Sequence, residues 1–185
     1  PVNATVTLNA GKTAIAKGTN VGKHEMGLTA ADFTATSPNY SNIKIEYTDG
    51  YLEITKAALE ITADSDSKTY DGEALTKNSV SSVGLVGGDT IESVTVTGSQ
   101  TNVGKSDNSF TYTLNAGTIA NNYTITTEVG KLEVTPVTAQ VTVKVYEASS
   151  NVTYDGQPHS IHGYTKMEAD NPLYAATTAN IKVTE

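Results

Sequence analysis

The sequence predicts an all-β chain of small immunoglobulin-like β-sandwich repeats in tandem, with a β-grasp-like α+β arrangement as the alternative. Three observations carry the expectation. Short segments alternate polar with apolar residues, Gly- and Asp-containing turns separate them, and a set of landmarks returns after about 80 residues.

Taken along the chain, Ala4-Thr5-Val6-Thr7-Leu8, Ser93-Val94-Thr95-Val96-Thr97, Phe110-Thr111-Tyr112-Thr113-Leu114 and Gln140-Val141-Thr142-Val143-Lys144 are the clearest alternating segments. All are rich in β-branched residues, which suit a pleated, half-buried surface, so each reads as a strand with one face toward a core. Asp49-Gly50, Asp71-Gly72, Gly87-Gly88-Asp89 and Asp155-Gly156 lie between such segments and are expected to supply the positive-φ positions of tight hairpin turns. The helical hint is Leu28-Thr29-Ala30-Ala31-Asp32-Phe33. There Thr29 is placed to cap a single 3₁₀ or α turn, in a segment too short for a packed helix.

The pentapeptide Thr19-Asn20-Val21-Gly22-Lys23 recurs unchanged as Thr101-Asn102-Val103-Gly104-Lys105. Downstream, Asn39-Tyr40-Ser41 and Leu52-Glu53-Ile54-Thr55 are matched in the same order by Asn122-Tyr123-Thr124 and Leu132-Glu133-Val134-Thr135. A third landmark, Thr69-Tyr70-Asp71-Gly72, returns as Thr153-Tyr154-Asp155-Gly156, each time after an alternating segment. On this frame residues 57–136 form one complete repeat, residues 1–56 the C-terminal half of another, and residues 137–185 the N-terminal half of a third. Tyr70 and Tyr154 travel with the repeat and are expected to pack at one fixed structural position. Thr55-Lys56-Ala57 and Thr135-Pro136-Val137 are the expected linkers.

Composition narrows the chemistry. The 12 basic residues are all Lys against 20 acidic groups, a formal net charge of -8 that repels nucleic-acid phosphates and anionic lipid. Without Arg the chain also lacks the planar fork that reads phosphate or guanine in two bonds at once. Cysteine is absent, which removes disulfides, thiolate nucleophiles and Cys-ligated metals. No stretch reaches the ~18 apolar residues of a spanning helix, so no membrane insertion is expected. The sequence opens on Pro1 with neither an initiator Met nor a signal-peptide pattern, and an excerpt from a longer polypeptide is expected.

Candidate chemical motifs fail on spacing or residue type. His159 and His162 form an H-x-x-H, but residues three apart on a strand point to opposite faces and would not share an ion. Gly98 to Ser106 resembles a phosphate-cradling loop, yet it has one residue too many between its glycines. Asp64-Ser65-Asp66 opens like a calcium loop, yet Lys68 and Leu75 stand where that loop wants oxygen ligands. No G-x-S-x-G elbow accompanies the many Ser and the three His. No catalytic, metal-binding or cofactor-binding residue is assigned, and no enzymatic activity is expected. Among the ten tyrosines, Tyr51, Tyr146, Tyr164 and Tyr174 fall outside the repeated frame and are the candidate ligand surface, since an exposed ring can stack on sugar or contact protein.

The segment TNVGKHEMGLTAADFTATSPNYSNIKIEYTDGYLEITK resembles the back half of the MBG-type repeats of large surface proteins of Gram-positive gut bacteria, and VTYDGQPHSIHGY resembles their front half. The middle unit, with KTYDGEALT, GLVGGDTIE and NNYTITTEVGKLEVTP, is similar to the related YDG-type variant. The resemblance implies an extracellular location on a bacterial cell surface and a place in a stalk or adhesive array, and it supplies no functional residue. Two uses follow as expectations. One is a non-catalytic structural spacer of an adhesin-like protein; the other is a glycan- or mucin-binding module with a Tyr-rich sheet surface. The expected partners are neighbouring repeats, host glycan or mucin, and a second copy of the chain. That copy would pair through residues 1–56 and 138–185, whose half repeats leave strand edges open.

Overall fold

The computed structural model describes residues 3–174; residues 1–2 and 175–185, the latter ending the expected 137–185 half repeat, lie outside the described residues. In chain order the strands are β1 (Thr5–Leu8), β2 (Gly22–Glu25), β3 (Phe33–Thr36), β4 (Tyr51–Ile54), β5 (Ala57–Ala63), β6 (Asp66–Thr69) and β7 (Val80–Val83). They continue as β8 (Ile91–Val96), β9 (Gly104–Asn108), β10 (Phe110–Leu114), β11 (Tyr123–Glu128), β12 (Gly130–Thr135), β13 (Val143–Glu147) and β14 (Tyr164–Ala169). The only helical elements among the described residues are two 3₁₀ turns, Ala30–Asp32 and Ala120–Asn122. The chain is therefore all-β, and the α layer of the β-grasp alternative is missing from the described residues.

Contacts group the chain into two compact units, one of Pro1–Asp64, Asn78–Val96 and Ser109–Val129, the other of Ser65–Lys77, Thr97–Asn108 and Gly130–Glu185. In the first, β1 pairs with β3, β2 with β4 and β8 with β10, all antiparallel. Strand β5 lies between β7, antiparallel, and β11, parallel. The alternation in β5 turns Leu59 and Ile61 fully inward while Ala58 and Glu60 face out. Leu59, Ile61 and Tyr123 form the buried centre, and Leu85, Ile91, Phe110, Tyr112 and Leu114 close over it. The β5–β7–β11 sheet is thus stacked on the β8–β10 ribbon through one apolar layer, and each buried aliphatic side chain contributes about 1.5–3 kcal/mol.

In the second unit β12 lies between β6, parallel, and β9, antiparallel. Leu132 and Val134 point inward and meet Leu75, with Tyr70 packed against the cluster. Lys131 and Glu133 point outward, where Lys131 pairs with Asp107 and Lys105 with Glu133, the latter at 3.1 Å. Such exposed cross-strand pairs favour the register more than they add stability. Strands β13 and β14 form a separate antiparallel ribbon.

The sequence repeat is repeated in hydrogen bonding. Gly22 faces Ile54, Lys23 faces Glu53 and His24 faces Leu52 across β2–β4; Gly104 faces Val134, Lys105 faces Glu133 and Ser106 faces Leu132 across β9–β12. The Tyr-Asp-Gly turns also match. Asp71 Oδ1 accepts the Glu73 N–H and Asp155 Oδ1 accepts the Gln157 N–H, each at 2.9 Å, with Gly72 at φ +87° and Gly156 at φ +78°.

Four expectations need correction or refinement. Apart from β13 and β14, which residues 148–163 connect, no two consecutive strands among the described residues pair with each other, so the turns do not close tight hairpins. The chain instead alternates between sheets. Gly50 is not at positive φ; its carbonyl accepts the Met26 N–H at 2.9 Å, and the Asp49 carboxylate accepts the Gly27 N–H at 2.8 Å. The 3₁₀ turn forms where expected with Thr29 as its N-cap, and Asp32 completes a capping box, its carboxylate accepting both the N–H (2.8 Å) and the hydroxyl (3.1 Å) of Thr29. Tyr70 and Tyr154 do not share an environment: Tyr70 is half-buried on Leu75, Leu132 and Val134, whereas Tyr154 is 91% exposed.

Candidate functional site

The four candidate tyrosines do not converge on one site. Tyr51 opens β4 in the first unit, opposite Glu25, and is exposed; the Lys23 ammonium sits 4.0 Å from its ring centroid. This cation–π contact occupies one face of the ring. Tyr146, Tyr164 and Tyr174 belong to the second unit. Tyr164 is half-buried at the start of β14, opposite Glu147. Tyr174 is exposed at the end of the described chain, where its N–H donates to the Asn171 carbonyl at 3.0 Å.

Tyr146 is the best-furnished of the four. Its phenol donates to the Glu168 carboxylate at 2.9 Å, and the Lys166 ammonium lies 5.7 Å from the ring centroid. Lys166 also pairs with Glu168. The register of β13–β14 explains the cluster, since Tyr146 faces Lys166 and Lys144 faces Glu168. The Lys166 ammonium, followed by the Tyr146 hydroxyl, holds the Glu168 carboxyl below the usual carboxylate range, while Glu168 raises both Lys166 and Tyr146. A neighbouring groove of about 330 Å³ is lined by Thr142, Lys144, Glu168, Ala169 and Asp170. Asp170 accepts the Thr142 N–H at 3.0 Å, which lowers its pKa. Sequence reading missed this charged ladder. Its signal was the alternation Lys144-Val145-Tyr146 facing Lys166-Met167-Glu168, visible only once the two segments are known to pair.

The other motifs resolve into local structure. Gly104-Lys105-Ser106 lies on β9, so its amides serve a sheet and not a phosphate. The Asp64 carboxylate accepts the Ser79 hydroxyl, and Asp66 accepts the Ser67 N–H at 2.8 Å. His159 and His162 lie outside the strands, so the opposite-face argument does not apply to them; His159 Nε2 instead stands 2.9 Å from Asp155. Among the described residues no three His, Asp or Glu side chains come together as a metal site, and no helix is long and apolar enough to cross a membrane.

The arrangement can present half-exposed phenols beside paired charges, on separate sheets. Comparison with known proteins adds one match, the family model of the MBG domain (YGX type) over residues 59–133. No curated protein and no solved structure matches the chain. The matched span runs from within β5 to within β12, through both buried clusters of the complete repeat. Residues 59–133 are thus similar to an MBG domain of the YGX type.

Proposed function

We propose that this chain is a non-catalytic structural region of a bacterial cell-surface, adhesin-like protein, acting outside the cell as a stalk segment. The observation that carries the reading is the duplicated register, Gly22↔Ile54 with Lys23↔Glu53 and Gly104↔Val134 with Lys105↔Glu133. Repeats that preserve strand pairing from one unit to the next are what a spacer requires. Residues Thr55 and Lys56 alone separate β4 from β5, and a connection this short limits hinging. Single-molecule stretching is the test. A tandem array should unfold in discrete events, each releasing about 280 Å of chain less the folded span, from about 80 residues at ~3.5 Å each. Smooth extension without such events would refute a load-bearing role.

A second reading, engagement of host glycan or mucin, is supported by the exposure of Tyr51 and Tyr146. Each ring already has a Lys on it, so binding would use the remaining face. A glycan and mucin array probed with the full chain and with Tyr51→Ala and Tyr146→Ala tests this. Signal lost in a variant supports it; an array without hits removes it.

A further inference from the structure

Two landmarks that recur in the sequence meet in the structure. Asn122, of the Asn-Tyr landmark, belongs to the complete repeat; Asn20-Val21, of the Asn-Val-Gly-Lys landmark, belongs to the repeat before it. The Asn122 side-chain oxygen accepts the Val21 N–H at 2.9 Å, and its amide donates to Asn20 Oδ1 at 3.0 Å. These partners stand 101 and 102 residues apart in sequence, within the first compact unit. Strand register brings them together. Val21 precedes Gly22, which faces Ile54 at the end of β4, and Asn122 precedes Tyr123, which faces Ala57 at the start of β5. Both therefore flank the Thr55-Lys56 link, and their bonds form a second connection beside it.

The turn that Asn122 grips is held in shape by its own side chains. Gly22 has φ +141° and its counterpart Gly104 φ +143°, so the two copies of the turn share a backbone course. In each copy the carbonyl of the landmark Asn accepts a side-chain donor, but from opposite sides. His24 Nε2 donates to the Asn20 carbonyl at 2.8 Å, and Gly18 leaves room for the ring, since a β-carbon at position 18 would lie 2.3 Å from its Cδ2 and Nε2. In the complete repeat Gln100 stands in the place of Gly18 and Ser106 in that of His24. There Gln100 Nε2 donates to the Asn102 carbonyl at 2.6 Å, and the Ser106 hydroxyl donates to the Ser99 carbonyl at 3.1 Å. The donor has changed sides, and a small residue faces it both times. A turn whose carbonyl is tied down by either route holds the next N–H in one direction, ready for a partner. In the first copy that N–H is Val21's, and Asn122 accepts it.

We propose that the Asn20-Val21 turn and Asn122 form the joint between consecutive repeats: the turn of one repeat docks on the Asn of the next repeat's Asn-Tyr landmark, and this contact fixes the angle that the link alone leaves free. The partner of the turn is the adjoining repeat of the same chain. Thr55 and Lys56 each keep two soft backbone dihedrals, and a second attachment beside them removes the rotations those dihedrals allow. The joint rests on the stalk reading for its use, because a spacer needs joints that hold their angle.

The chain lacks cysteine, so spin labels on Thr36→Cys in β3 and Thr95→Cys in β8, both exposed, report the distance across the joint by pulsed electron paramagnetic resonance. The otherwise unaltered chain should give one narrow distance distribution. Asn122→Ala should broaden it, raising the hinged fraction about fivefold or more. Asn20→Asp and Asn122→Asp should each leave it narrow, because a carboxylate facing an amide can still accept, the amide turning to donate. Asn20→Asp/Asn122→Asp sets two carboxylates face to face and should open the joint at neutral pH; as pH falls and one of them is protonated, the joint should close again. That recovery separates a broken contact from a misfolded chain. His24→Ser should broaden the distribution, and Gly18→Gln/His24→Ser, which copies the complete repeat's arrangement, should narrow it. A broad distribution in the unaltered chain, or one as narrow in Asn122→Ala and in the double Asp variant, would overturn the proposal. The labels are read without load, whereas stretching reads unfolding whatever the joint angle. Discrete unfolding with a free hinge would remove the joint alone, and a fixed joint with smooth extension would remove the stalk reading alone.

Discussion

The Tyr123 phenol donates to the Asp89 carboxylate at 2.5 Å while accepting the Val86 N–H at 3.1 Å, and the ring is 2% exposed in the centre of the first unit. Tyr123 thereby ties β11 to the Gly-rich turn before β8. A buried hydroxyl with both roles filled holds that turn in one arrangement.

Replacing Tyr123 with Phe keeps the ring and removes both bonds, leaving the Val86 N–H without its side-chain acceptor. The urea midpoint should fall with the slope unchanged. A pH arm follows from the bond to Asp89, the largest influence on Tyr123, which raises the phenol above its ordinary value. The neutral phenol is the stabilised form, so this contribution is complete below the ordinary pKa of about 10 and is lost as pH rises through the raised one. Denaturation curves of wild type and Tyr123→Phe should therefore converge at high pH; a constant gap would show that the Asp89 bond contributes nothing specific.

Asn108 and Gly98 make a second tight relationship. Asn108 is fully buried and its amide donates to the Lys77 carbonyl at 2.8 Å. A β-carbon at position 98 would lie 2.2 Å from Asn108 Oδ1 and 2.5 Å from Asn108 Cα, and a backbone atom cannot step aside as a side-chain tip can. Gly98→Ala should cost about 1–3 kcal/mol or more. Asn108→Ala should cost about 1–3 kcal/mol by exposing the loss at the Lys77 carbonyl. Chemical denaturation of both measures it, and a neutral Gly98→Ala would mean that β9 is displaced from this position.

These pairs also mark where sequence reading stops. Alternation in Leu59-Glu60-Ile61 tells which residues face a core, and the recurrence of Leu-Glu-Ile/Val at nearly the same distance from Asn-Val-Gly-Lys foretells that β4 and β12 are equivalent. Neither names a partner. The parallel pairs β5–β11 and β6–β12 join segments about 65 residues apart, and nothing local to Leu59 or Ser67 encodes Ile125 or Glu133. Tyr154 was misread for the same reason. A repeated residue keeps its environment only where the strands that enclose it are repeated too, and those around Tyr70 come from the other half of the unit. The charges around Tyr146 were invisible because cross-strand chemistry depends on register, which alternation alone leaves open.

Two carboxylates in the first unit set an acid response. The Lys12 ammonium, 2.7 Å away, and then the Thr29 N–H hold Asp32 below the usual carboxylate range. The Tyr47 hydroxyl at 2.7 Å, followed by the Gly27 N–H, does the same for Asp49. With folded values depressed, the stabilisation is complete above the ordinary carboxylate pKa of about 4 and is lost as pH falls through the lowered values. NMR amide shifts of Gly27 and Thr29 followed downward in pH should titrate below that range and precede loss of the segment. Asp49→Asn should abolish the Gly27 titration; an unchanged profile would assign it to another group.

The repeat itself permits a matched pair of substitutions. Leu132 and Leu52 occupy the same place in the landmark and face equivalent residues, Ser106 and His24, across equivalent ribbons. Only Leu132 is enclosed, with Val134, Leu75 and Tyr70 around it. Leu132→Ala should cost about 2–5 kcal/mol, because the removed atoms leave a cavity that Val134 and Leu75 fill only in part. Leu52→Ala should cost less than about 1 kcal/mol, since water already reaches the side chain. The comparison holds residue type, motif and the antiparallel pairing constant and varies enclosure, to which the parallel β6 neighbour of β12 contributes. Equal costs would mean that Leu52 is covered in solution.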